Sequence, residues 1–324
     1  MSKHFKKEKL FEKYSKNLES VKPYLTGKEL MTGGPQIICP LCRYTFTKNA
    51  FDKKYDDHLT IEHAPPKAMG GHEVALTCKI CNNNAGGRIE SAYIKYHAVE
   101  ALKRMEELVP IDAVALINGI LSRRGYLSFD KAKREYQFHS PSDEYTIPKV
   151  EKLVRGNDNK MNLLVKFSRP AERVANLTLL KTAYLLAFEK LGYAYILHEQ
   201  FDLIREQIRC PEKEIIKNTF VLNLNEDVNS NLGLFKVIQP IALESLMVRF
   251  KTIMHGRTDV HTVILPSVHD SNLTIYDKLE RLEKTEEYEL MTVTVPDANY
   301  ITDPKTVMIP YLVWNELNFN PNKL

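Results

Sequence analysis

Two short cysteine pairs constrain this 324-residue chain more than any other feature: Cys39 and Cys42 in CPLC, and Cys78 and Cys81 in CKIC, with 35 residues between them. The fifth cysteine, Cys210, stands alone in a helix-like stretch. The N-terminus, MSKHFKKEKLFEKY, lacks the apolar core of a secretion signal, so the expected compartment is the cytoplasm. No apolar run approaches the ~20 residues of a membrane span. In a reducing compartment two CxxC pairs read as a metal site more readily than as disulfides. Four thiolates in a tetrahedron suit Zn²⁺ and leave no coordination position open for chemistry, which predicts a structural zinc. An ordinary ribbon separates its pairs by roughly 15–20 residues. The longer gap here means that something is inserted between the two knuckles.

The insert reads as strand, loop, strand and helix. LTIEHA is followed by Pro65 and Pro66, then Gly70 and Gly71, then HEVALT running into CKIC; NNNAGG and the helix-periodic RIESAYIKYHAVEALKRMEEL come next. A unit of this size needs the metal to hold it together. Glu62 and His63 stand side by side at the end of the first strand. Neighbouring strand residues point to opposite faces, so the diproline turn is expected to re-aim the pair. An acid–histidine pair alone reads as a solvated strand end; the cysteine frame around it changes the reading.

Taken together, CPLC, IEHAPPKAMGG and LTCKICNNNAGG, spanning residues 37–104, resemble the four-cysteine branch of the HNH endonucleases and their ββα-metal motif. The resemblance implies that Glu62 binds one hard divalent ion, Mg²⁺ or Mn²⁺, and that His63 is the general base on a water. Asn82 falls at the last metal-ligand position, where a carbonyl oxygen suits Mg²⁺. Asn83 and Asn84 are alternatives for that role, although helix capping is the simpler account of both. The middle asparagine of the family is replaced by Glu73, a carboxylate expected to hold the His63 ring and raise its pKa. His72 reads as an exposed loop histidine, with an accessory metal role as the alternative. His58 would share a strand face with Glu62 and either contact phosphate or sit exposed at an edge. Lys67 and Arg88 complete the nucleic-acid-binding candidates.

Charge is uneven along the chain. Residues 1–110 carry 18 Lys and Arg against 13 Asp and Glu, whereas the remainder carries 27 against 28. The surplus would draw phosphates to the N-terminal region. The expected organisation is a basic helical arm over 1–30, an HNH nuclease domain with its zinc over 31–108, and an α+β domain over 109–324. The last would be built on mainly antiparallel sheet and would select target or context. Strands are expected at GYLSF, REYQFHS, MNLLVKF, TFVLNL, LFKVIQP, HTVILPSV, YELMTVTVP and TVMIPYLVW, and a long apolar helix at ERVANLTLLKTAYLLAFEKL, broken at Gly192. LKTAYLLAFEKLGY resembles a segment that recurs behind HNH units of this kind. Trp314 reads as core before base-stacking.

These observations predict a metal-dependent endonuclease hydrolysing double-stranded DNA, in phage defence or restriction. A zinc-containing binding module that cleaves weakly or not at all is one alternative, and an RNA-directed nuclease is another. A homodimer is compatible with the sequence and not required by it.

Overall fold

The computed structural model describes residues 2–24, 34–106, 110–141, 146–155, 162–222, 231–270, 273–282 and 289–318. Helix α1 (Lys3–Val21) starts at Ser2, whose hydroxyl accepts from the Phe5 amide. Its apolar stripe, Phe11, Tyr14, Leu18 and Val21, is buried. Strands β1 (Gln36–Ile38) and β2 (Thr45–Thr47) pair antiparallel and bracket the first knuckle. Then β3 (Leu59–Ala64) pairs antiparallel with β4 (His72–Cys78), and α2 (Lys79–Ala85) follows without a break. One π turn, Gly86–Glu90, continues α2.

The next stretch is a second compact unit, Ser91–Ala175. Helix α3 (Ser91–Lys103) lies on a four-stranded antiparallel sheet of β5 (Ile111–Ile117), β6 (Leu121–Asp130), β7 (Glu135–His139) and β8 (Leu163–Lys166), in the order β7-β6-β5-β8. Helix α4 (Thr146–Arg155) precedes β8. Strand β5 alternates buried and outward residues, and Ile111, Ala113, Leu127 and Phe129 pack on Val99 and Leu102 of α3.

From Asn176 onward the chain returns to the first unit, which comprises Met1–Glu90 and Asn176–Leu324. The expected boundaries near 30 and 108 fall at residues outside those described; the contacts divide the chain at 90/91 and 175/176. The segment expected to form a separate C-terminal domain thus supplies much of the unit that carries the cysteines. Helix α5 (Glu172–Leu191) ends at Gly192, whose φ of 68° is left-handed and favours glycine. The short α6 (Tyr193–Ile196) and α7 (Gln200–Arg209) follow. The tyrosines of α5 and α6 reach the first knuckle: the Tyr184 hydroxyl donates to Pro40 O at 2.6 Å and the Tyr193 hydroxyl to Ile38 O at 2.6 Å.

Strands β9 (Val221–Leu222), β10 (Gly233–Gln239), β11 (Ser245–Met254), β12 (Arg257–Pro266) and β13 (Met291–Thr294) form one antiparallel sheet ordered β13-β10-β11-β12-β9, with α8 (Thr274–Leu282) between β12 and β13. The strand expected at TVMIPYLVW is instead the short α9 (Ile309–Leu312) and a 3₁₀ turn. Pro310 stands near its start, where a missing N–H is harmless, and it would interrupt a sheet ladder. Trp314 is buried and stacks on Tyr195 with centroids 5.7 Å apart, so it belongs to the core. The molecule is α+β, as expected, and every strand pairing among the described residues is antiparallel. No helix among the described residues is long and apolar enough to cross a membrane.

Candidate metal centre and hairpin site

The two knuckles converge. The ligand atoms of Cys39, Cys42, Cys78 and Cys81 all lie within 4.8 Å of one another, and Cys42 Sγ is 3.8 Å from Cys78 Sγ. A tetrahedron with Zn–S bonds near 2.3 Å has sulfur–sulfur edges of about 3.8 Å. The donor set therefore fits a metal such as zinc. Local backbone geometry builds each half. Arg43, at φ 64°, lets the chain turn back so that its amide donates to Cys39 O. Cys78 is the N-cap of α2, its sulfur accepting from the Cys81 amide, so β4 delivers one ligand as the helix begins. Burial pushes the Cys39 thiol well up, while sulfur neighbours hold Cys42 down. Metal binding would supply the charge that lets all four ionise together.

Between the knuckles the β3–β4 hairpin carries an irregularity that the sequence did not reveal. Glu62 pairs with Ala75 but His63 pairs with Glu73, which leaves Val74 as an extra residue in β4. The bulge lies on β4, directly opposite the acid–histidine pair, and Glu62 and His63 keep the opposite faces that strand alternation gives them. Helix α1 braces it: the Tyr14 hydroxyl donates to Val74 O, and Lys6 Nζ meets Glu73 Oε1 at 2.7 Å. This face of α1 packs against the hairpin. The turn after the prolines is equally close-fitting. A Cβ on Gly71 would fall 1.5 Å from Pro65 O, inside any allowed contact. We expect Gly71→Ala to destabilise the protein by about 3 kcal/mol or more, read from denaturant midpoints at unchanged m.

The candidate residues have distinct fates. Glu62 is buried; Lys181 Nζ donates to its Oε1 at 2.8 Å and the Thr77 hydroxyl to its Oε2 at 3.2 Å. His63 is half-buried, and desolvation lowers its pKa below 6.5 despite the upward pull of Glu73 and Glu62. The expected rise is thus outweighed, and the neutral ring that a base requires is favoured. Asn82 is half-buried on α2, its Nδ2 donating to Thr60 Oγ1 at 2.9 Å and to Ile61 O at 3.3 Å. Thr60 Oγ1 spends its own proton on Thr77 O, so both partners of Asn82 can only accept. That fixes the amide flip, with the amide nitrogen of Asn82 toward β3.

The structure places the other candidates as follows. Glu73 is tied to Lys6. His58 precedes β3 instead of sharing its face with Glu62, and it is buried with Nδ1 bonded to Tyr55 O at 3.1 Å, so it is not an exposed edge residue. Arg88 is exposed but paired with Glu212. His72 is exposed, as expected, although on β4 beside Glu189 at 3.0 Å and not in a loop. Asn83 and Asn84 are exposed inside α2, which Cys78 already caps, so they are not caps. Lys67 is exposed in the turn after His63, close enough to lower the pKa of that ring.

Sequence reasoning missed Lys181 and Glu90. Lys181 Nζ also pairs with Glu90 Oε1, and the lysine itself is 1 % exposed. Burial pulls its pKa down, but Glu62 and Glu90 outweigh burial and raise it, so it stays an ammonium. The available signal was a single lysine inside the buried apolar stretch of LTLLKTAYLLAF, which demands an acidic partner. No family model matches the chain, and no curated protein or solved structure matches it either.

Proposed function

We propose that the chain is a metal-dependent HNH-type endonuclease that hydrolyses phosphodiester bonds of DNA, in phage defence or restriction, with segments beyond the hairpin selecting target or context. The observation that carries this reading is the β4 bulge opposite Glu62 and His63. Opposite it Glu62 is buried and His63 half-exposed, and Asn82 stands on the adjoining helix with its amide nitrogen bonded to β3.

In this reading the neutral His63 ring takes the proton of an attacking water, and Lys67 draws the substrate phosphate toward the turn. Glu62 and Asn82 offer hard oxygen donors of the kind Mg²⁺ or Mn²⁺ prefers, and they would hold that ion. When bound, the ion would neutralise phosphate charge and stabilise the leaving oxygen. A zinc on the four sulfurs would take no part in the reaction; Cys39, Cys42, Cys78 and Cys81 would hold it, and it would tie the first knuckle to the junction of β4 and α2.

A binding module that does not cleave is the second reading. It is favoured by one specific contact, the Lys181 ammonium already seated on the Glu62 carboxylate. Incubation with DNA and RNA under Mg²⁺ or Mn²⁺, followed by chelator, separates the readings. The endonuclease should cut DNA and stop on chelation before the thiolate-bound zinc is lost. Binding without cutting sinks the nuclease reading, and cutting confined to RNA reassigns its substrate.

A further inference from the structure

We propose that Lys181 sets how tightly the site holds its divalent cation, acting as a built-in counterion that Glu62 and Glu90 share and that competes with the metal for them. This deepens the reading above, since it rests on Glu62 as a metal ligand. Lys181 projects from α5 among wholly buried residues, Leu180, Thr182 and Ala183. An ammonium there requires partners, and its two carboxylates come from different elements: Glu62 from β3 and Glu90 from the π turn that continues α2. Asn82 lies on that same helical stretch.

Stability alone does not account for the arrangement. Replacing a buried ion pair by apolar groups is often neutral or stabilising, so a lysine kept in an apolar helix calls for another role. The local charge suggests one. Two carboxylates and one ammonium sum to a single negative charge, and Lys181 takes Glu62 Oε1 while Thr77 takes Oε2. An incoming divalent ion meets a ligand already engaged and a positive charge 2.8 Å from it. Coulomb repulsion at that range lowers cation affinity, while the ordered lysine keeps both carboxylates in place when no metal is bound. The site is thereby held weak for metal and intact without it.

The test is Mn²⁺ binding to the full-length, zinc-loaded protein with no nucleic acid present, followed by electron paramagnetic resonance. Lys181→Met removes the charge at nearly constant volume and should tighten Mn²⁺ by at least about tenfold. Glu90→Gln leaves the ammonium wholly on Glu62 and should weaken Mn²⁺ several-fold. The double variant should lose most of the gain of Lys181→Met. A Lys181→Met protein that keeps its zinc and thermal transition yet binds Mn²⁺ no tighter than wild type overturns the proposal. Should that variant not fold, Glu90→Gln decides: Mn²⁺ affinity unchanged or raised overturns it equally. Failure of the nuclease reading looks different. In that case the Mn²⁺ series behaves as stated, but cleavage is absent or indifferent to His63.

Discussion

Replacing His63 by alanine should lower DNA cleavage by about 10²–10⁴-fold, the usual loss for a general base, with zinc content, fold and DNA affinity near wild type. The ring is half-exposed and follows the bulge, so its removal leaves no buried polar group unpaired and disturbs little packing. Excess Mg²⁺ or Mn²⁺ should not restore the variant, because proton transfer is what it lacks. Glu62→Ala and Asn82→Ala should behave differently, since a weakened ion can be driven back by mass action. For Glu62 the effect is compounded: its loss strands part of the charge of Lys181 in the core, so a lower melting temperature should accompany lost activity. The decisive measurement is the cleavage rate of each variant across a metal titration, on substrates that include modified phage DNA. If His63→Ala cuts as fast as wild type, the chain does not work as an HNH nuclease and the binding-module reading takes its place.

Cys78→Ser should produce the largest structural effect. Cys78 is at once a ligand of the four-sulfur cluster, the last residue of β4 and the N-cap of α2. Structural zinc in small motifs carries an apparent binding free energy of about 10–16 kcal/mol near neutral pH, and most of it is folding free energy. Losing one thiolate should therefore deplete zinc in elemental analysis and melt the hairpin and its helix. Cys210→Ser, outside the cluster, should do neither. A wild-type protein purified without any metal would sink the staple. Because Tyr184 and Tyr193 hydrogen-bond the backbone of the first knuckle, melting should extend to α5 and α6. A fragment ending near residue 108 would lack those tyrosines and Lys181, so it is a poor vehicle for testing DNA binding by the N-terminal region.

What the sequence determined by itself was whatever depends on local spacing. Two CxxC pairs fix a four-sulfur cluster because a knuckle is a short-range turn. Alternating and helical periodicities located the hairpin, α1 and the long apolar helix with its break at Gly192, because each is set within a few residues. What only tertiary structure decided was whatever depends on contacts across many residues. The bulge at Val74 leaves no mark in HEVALT, since it is held from outside by Tyr14 of α1. The engagement of Glu73 with Lys6 and of Arg88 with Glu212 could not be read from residue type, which gives charge but not partner. The same holds for Lys181, 119 residues from Glu62: the sequence displays a lysine that must be neutralised, and only the packing of α5 against the hairpin selects which carboxylates neutralise it.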